Sequence, residues 1–371
     1  MPGVIDLVPM DVAGRMPRLR AAIDADGGID ALMVTKGVHI RYLTGFTGSA
    51  GIVLVLPGEV VLVTDGRYGQ QAAEQLAAAG VTARIEVAGI EQREVVGAAV
   101  RGVGVGRLGL EADAVTWAQQ RGYADTWFAG IELVPTQGLV DDLRLVKDDG
   151  EVSRIAAAAG VADQALANVR GRLADGLTEQ EFGIELDFEI RRLGAWGNSF
   201  ETIVGSGPNG AKPHHRPSTR RIVEGDLVVL DFGAVVDGYC SDMTRTVMVG
   251  EPSVTQARML EVVTAAQQAG VEAIAPGVGT AAIDAACREV IAEAGWAEAF
   301  LHATGHGVGL EIHEAPRVAA TAAATLRAGV VVTVEPGVYL PDHGGVRVED
   351  TLVVTADGSR PLTLAPKTTA V

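Results

Sequence analysis

Gly225-Asp-Leu-Val-Val-Leu-Asp231-Phe-Gly233 can be laid on Gly329-Val-Val-Val-Thr-Val-Glu335-Pro-Gly337, with an acidic residue six after one glycine and two before another in both. Each run of β-branched and aliphatic residues reads as a buried strand closed by a carboxylate. A second acid then leads a Thr/Val strand in each case: Asp242-Met-Thr-Arg-Thr-Val and Glu349-Asp-Thr-Leu-Val-Val. The offsets of 11 and 14 residues suit a hairpin return. This duplication predicts two helix-plus-hairpin halves that face each other.

Working outward, Ala-rich helical segments are expected in pairs, at Glu151–Ala174 with Glu179–Leu193 and at Val254–Ala275 with Thr280–Ala294. Thr178-Glu-Gln-Glu181 is a capping-box pattern, with Thr178 as N-cap and Glu181 three residues on. The charged stretch Asp141–Gly150, with a turn-like Asp148-Asp149-Gly150, is the expected domain boundary. Before it, Val/Ile/Leu runs alternate with glycine-containing breaks: Ala31–Thr35, Gly51–Leu56 and Val60–Thr64, then a helix over Gln70–Ala79 ending at Gly80. The expectation is a smaller α/β domain over residues 1–142 and an α+β domain over 143–371.

The chain of 371 residues is long enough for two or three cores. It carries 47 Asp and Glu against 30 Lys and Arg, a formal charge of −17. That balance excludes the basic face that nucleic acid or an anionic membrane surface requires. No apolar run reaches the ~18 residues of a membrane span. Met1–Arg20 shows no basic stretch followed by an apolar one, so no signal peptide is expected. Two cysteines, Cys240 and Cys287, cannot staple a fold of this size, and a cytoplasmic protein is expected.

A carboxylate at the end of a buried strand is costly unless a proton, a cationic side chain or a metal neutralises it. Arg245 and Arg347 would have to serve four acids, Asp231, Asp242, Glu335 and Glu349. Two divalent cations would balance those four charges, and a hydroxide held between them would be a nucleophile near neutral pH. His306, in Gly305-His-Gly-Val-Gly309, adds an imidazole where glycines let backbone crowd close. Oxygen-dominated ligation with one imidazole favours Mn²⁺, with Co²⁺, Fe²⁺ or Zn²⁺ as alternatives.

These residues and their surroundings resemble the pita-bread metallopeptidases, the family of methionine aminopeptidase, aminopeptidase P and prolidase. The matching text is Leu230-Asp-Phe-Gly, Ser241-Asp-Met-Thr-Arg-Thr, Gly305-His-Gly-Val-Gly-Leu-Glu-Ile-His313-Glu, Val334-Glu-Pro-Gly and Arg347-Val-Glu-Asp-Thr. Arg41-Tyr-Leu-Thr-Gly-Phe-Thr-Gly-Ser and Thr64-Asp-Gly-Arg-Tyr are similar to the extra N-terminal domain of the proline-specific members. The resemblance implies a pita-bread catalytic domain with five metal ligands. Asp242 and Glu349 would bridge two ions, Asp231 would chelate one, and His306 with Glu335 the other. Glu335 would also take a proton from the bridging water. By the same resemblance His313 would hydrogen-bond the tetrahedral intermediate and His214 would lie on the substrate side. His302 matches a residue near the proline pocket of aminopeptidase P. His215 is expected to be a bystander. A homodimer is also implied.

Within the family, Arg347 and the N-terminal domain argue against methionine aminopeptidase, and the intact ligand set argues against a non-catalytic binding protein. A proline substrate presents a tertiary amide with no N–H and a fixed φ. Arg317, in His313-Glu-Ala-Pro-Arg, aligns with the prolidase arginine that holds the C-terminal carboxylate of Xaa-Pro, and an arginine fork suits that task. Arg317 and Arg347 join His214 and His302 as expected substrate-binding residues. The reading is a Xaa-Pro dipeptidase, with an aminopeptidase P acting on longer Xaa-Pro peptides as the alternative.

Overall fold

The computed structural model describes residues 6–368 and 370, so residues 1–5 of the Met1–Arg20 stretch lie outside the described residues. Two compact units emerge, one of residues 11–144 and one of residues 145–370 with residues 6–10.

The first unit alternates α1 (Arg15–Asp26), β1 (Ala31–Val34), α2 (Gly37–Thr44), β2 (Ile52–Leu56), β3 (Glu59–Thr64), α3 (Gly69–Ala78), β4 (Arg84–Val87), α4 (Gln92–Gly102), β5 (Arg107–Glu111), α5 (Trp117–Gly122) and β6 (Glu132–Thr136). Its sheet runs β4-β3-β2-β1-β5-β6. The middle pairs β1–β2 and β2–β3 are antiparallel, and the outer pairs are parallel. The expected helix after Thr64 is present, and Gly80 follows it at φ +66°, where an L side chain would be strained. Val61, Val63, Leu54 and Leu108 from the strands meet Val96 and Val100 of α4 in the core.

Asp141–Leu145 forms a short helix, α6, at the division between the units. The Asp148-Asp149-Gly150 stretch is not a turn: it opens α7 (Asp149–Val169), with Asp148 and Glu151 capping each other's backbone reciprocally. A carboxylate N-cap and a glycine are as compatible with the first turn of a helix as with a reverse turn. After α7 a 3₁₀ segment over Arg170–Asp175 ends the expected long helix early. Thr178 and Glu181 form the expected capping box of α8 (Glu179–Arg192).

Strands β7 (Gly197–Asn198), β8 (Ile203–Ser206), β9 (Leu227–Phe232), β10 (Ala234–Val236), β11 (Tyr239–Cys240) and β12 (Met243–Met248) complete the first half. The second half repeats the plan with α9 (Val254–Glu272), α10 (Thr280–Glu293), β13 (Gly305–Gly307), β14 (Glu314–Val318), β15 (Val331–Val334), β16 (Gly337–Leu340), β17 (Gly344–Arg347), β18 (Asp350–Val354) and β19 (Ser359–Pro361). The two hairpins match: β9 pairs antiparallel with β12, and β15 antiparallel with β18. Each half has its own core. Phe182, Leu186 and Ile190 of α8 pack with Val228, Leu230 and Val247 in one, and Val263, Ile283 and Ile291 with Val332, Val334 and Leu352 in the other. Both cysteines are buried and free. Among the described residues no helix is long and apolar enough to cross a membrane.

Candidate active site

The duplicated hairpins deliver the acids to one place. Asp231 lies near the end of β9, opposite Thr244 of β12, and Asp242 immediately precedes that strand. Glu335 follows β15 and Glu349 precedes β18, so the second half supplies its pair in the same way. His306 sits mid-way along β13, between β14 and β15. Its neighbours must be glycines: a Cβ on Gly305 would stand 2.1 Å from the Thr333 carbonyl oxygen, and one on Gly307 2.2 Å from that of Ala315. All five line a cleft of about 720 Å³ within the second unit, together with His214, His302, His313, Arg317 and Arg347.

The side chains are oriented for a cation. Arg347 donates through Nη2 to Asp231 Oδ2 at 2.5 Å, while Asp231 Oδ1 is buried with no protein partner. Thr244 Oγ1 donates to Glu349 Oε2 at 2.7 Å, while Glu349 Oε1 is likewise buried and unpartnered. A buried carboxylate oxygen without a donor is expensive, and a divalent ion satisfies it. The Nδ1–H of His306 donates to the Gly307 carbonyl at 3.0 Å, which leaves the Nε2 lone pair aimed inward. Nε2 lies 3.4 Å from both Asp242 Oδ2 and Glu335 Oε1. Ligand atoms of Asp242, His306 and Glu349 lie within 4.8 Å of one another. Such backbone-fixed tautomers are the usual support of a ligating histidine.

The electrostatics agree. Burial, then the charge of Glu349, pushes the Asp242 carboxyl well above the usual carboxylate range. Burial, then Glu335 and Asp231, does the same to Glu349. Burial likewise raises Glu335 to about 8 against the pull of Arg347 and lowers His306 to about 4. Four acids converge on one guanidinium, because Arg245 turns away to Asp350 at 2.8 Å and to the Ala365 carbonyl. The donor set, four carboxylates and one imidazole, fits hard or borderline divalent ions.

The remaining expected residues divide in two. His214, His313 and Arg317 are exposed and line the cleft. The His313 ring stands edge-on to that of His306, with centroids 4.3 Å apart. Arg347 and His302 are occupied by the protein itself. Besides Asp231, Arg347 donates to Thr244 Oγ1 at 3.0 Å and Tyr339 Oη at 2.7 Å. His302 donates from Nδ1 to the Ala303 carbonyl, and its Nε2 accepts from Tyr339 Oη at 2.8 Å. A chain of hydrogen bonds therefore runs from Asp231 through Arg347 and Tyr339 to His302. Tyr339 carries no motif that distinguishes it in the sequence.

Two further acids escape notice in the sequence. Glu314 is paired with Lys147 at 2.6 Å, both side chains almost fully buried, directly after His313. Glu179, fully buried at the start of α8, accepts from His215 Nε2 at 2.9 Å, so His215 is an anchored residue. Burial opposes the Glu179 charge, but hydrogen bonds from Ser218, Ser206 and His215 outweigh it and hold the carboxyl down at about 2.

Residues 153–356 match metallopeptidase family M24, and residues 15–146 match the creatinase/prolidase N-terminal domain. A protein of Pyrococcus horikoshii named Xaa-Pro dipeptidase is 35% identical over 340 residues, 90% of this chain and 93% of its own length. The structure of a Xaa-Pro dipeptidase from Bacillus anthracis is similar with a TM-score of 0.92 at 41% identity, covering 97% of this chain and all of that one. An X-Pro aminopeptidase from Thermotoga maritima gives a TM-score of 0.87 at 33% identity, over 93% of this chain and 98% of its own.

Proposed function

The chain belongs to metallopeptidase family M24, and on that premise we propose that it hydrolyses the Xaa-Pro bond of dipeptides with two divalent ions, Mn²⁺ first, held by Asp231, Asp242, His306, Glu335 and Glu349. The observation that carries this is the convergence of the five side chains on one cleft, with buried carboxylate oxygens of Asp231 and Glu349 left for a cation. When bound, the ions would lower the pKa of a water held between them and polarise the scissile carbonyl.

The chain's own residues do the rest. Glu335 accepts the proton of the attacking water and returns it to the proline nitrogen, which leaves as a secondary amine. His313, beside His306 and open to the cleft, donates to the oxygen that gains charge as the carbonyl becomes tetrahedral. His214 approaches the substrate from the opposite segment, and Arg317 pairs with the free carboxylate of the proline. His302 contributes the face of its ring, since both nitrogens are engaged. Arg347 orients Asp231. We further infer a cytoplasmic homodimer.

The exposure of Arg317 also favours a second reading, an aminopeptidase acting on longer Xaa-Pro peptides, because a cation at an open wall leaves space for more chain. Rates of alanine release from Ala-Pro and from Ala-Pro-Ala separate the two. The dipeptidase reading expects Ala-Pro to be preferred and Arg317→Ala to erase the preference. An unchanged ratio in Arg317→Ala removes that residue from carboxylate recognition.

A further inference from the structure

We propose that Glu179 is a positioning residue, acting through the segment 206–218 to place His214 against the substrate. The proposal rests on the peptidase reading above for its activity test, and on geometry alone for its structural one. The Glu179 carboxylate is fully buried, and none of its side-chain hydrogen-bond partners among the described residues, Ser206, Asn209, His215 and Ser218, is proposed to meet substrate or metal. It gathers one segment instead. Oε1 accepts from the Ser206 N–H at 2.8 Å and Ser206 Oγ at 2.7 Å. Oε2 accepts from the Ser218 N–H at 3.0 Å, Ser218 Oγ at 2.6 Å and His215 Nε2 at 2.9 Å. Asn209 Nδ2 donates to both oxygens, at 3.1 and 3.2 Å.

Ser206 and Ser218 are the two ends of the segment, so a single carboxylate closes it at its base while holding His215 from within. The backbone of α8 adds to the grip: the Glu179 and Gln180 N–H groups, which a helix start leaves without intrahelical partners, donate to the carbonyls of Arg220 and Ser218. With His215 drawn inward to Glu179, its neighbour His214 is left exposed on the cleft wall. Charge-assisted bonds of this kind are roughly twice as strong as neutral ones. A wall built on them holds its residues to the small tolerances that productive geometry demands.

Glutamine at this position keeps the shape and breaks the function. Each carboxylate oxygen faces a backbone N–H, which can only donate. Whichever way the carboxamide is turned, its NH₂ meets one of those donors and one end of the segment is released.

The test uses Glu179→Gln and His215→Asn in the full-length protein, with bound metal measured in each. Amide hydrogen exchange over residues 207–218 should quicken in both variants while bound metal stays at the wild-type level. The kcat/KM for Ala-Pro should fall about 10- to 100-fold. Combined with His214→Ala, neither variant should lower kcat/KM much beyond His214→Ala alone, since the groups act as one unit. Unchanged exchange in 207–218, or losses that multiply fully with that of His214→Ala, would overturn the proposal. If Glu179→Gln fails to fold, His215→Asn carries both measurements. Should the wild-type protein cleave no Xaa-Pro peptide, the peptidase reading falls, and hydrogen exchange alone decides the positioning role.

Discussion

Arg347 shows how much of this cleft depends on single side chains. Its guanidinium is almost fully buried and serves Asp231, Thr244 and Tyr339 at once. A planar fork reaches three acceptors in three directions, and a lysine ammonium on one stem does not. Arg347→Lys therefore keeps the charge and loses the geometry. We expect kcat/KM for Ala-Pro and the apparent affinity for Mn²⁺ to fall by about 10- to 100-fold, as for other residues that orient metal ligands. Wild-type values for both would remove Arg347 from the support of Asp231. The acids and His306 stand out in the sequence because a buried strand ending in a carboxylate is conspicuous, and here it occurs twice. The partners of Arg347 are not legible there. Nothing in a strand pattern says that Tyr339 turns its hydroxyl to His302, 37 residues away, or that Arg245, three residues after Asp242, goes to Asp350.

Among the elements, α8 bears on the cleft most directly, because its first turn holds the segment that carries His214. Thr178→Ala removes the hydroxyl that accepts from the Glu181 N–H. It should cost about 1 kcal/mol in urea unfolding, the usual value of an N-cap. A loss near zero would mean that tertiary contacts alone fix the start of the helix. Glu179 gives the same turn a pH signature. Its folded pKa of about 2 lies below the ordinary glutamate value of 4.5, so its contribution to stability is complete above about pH 4.5 and fades as pH falls through 2. The stability gap between wild type and Glu179→Gln should accordingly shrink between pH 5 and pH 3. A gap constant over that range would contradict the assignment. The capping box of α8 is visible in the sequence because its two residues are three apart. The similar box at Asp148 and Glu151 is masked by an Asp-Asp-Gly text that a turn would share.

At the scale of the molecule, the duplicated halves are legible because the same strand text and helix pairing occur twice along the chain. The strand order of the N-terminal unit is not, since β1 pairs with β5 across 77 residues and no local pattern encodes that choice. The halves also predict a cost of metal removal. They bring four carboxylates together with one guanidinium between them, so an ion bound to the native state stabilises it by mass action. EDTA should lower the Tm of the catalytic unit and Mn²⁺ should restore it; a Tm indifferent to both would argue against a metal centre. The most direct test is Ala-Pro hydrolysis by protein stripped of metal and then reconstituted with Mn²⁺. No cleavage is expected after stripping, and cleavage should return as two ions per chain are bound. Cleavage undiminished by stripping, or protein reconstituted with Mn²⁺ that binds less than one ion per chain or binds two and cleaves nothing, would contradict this.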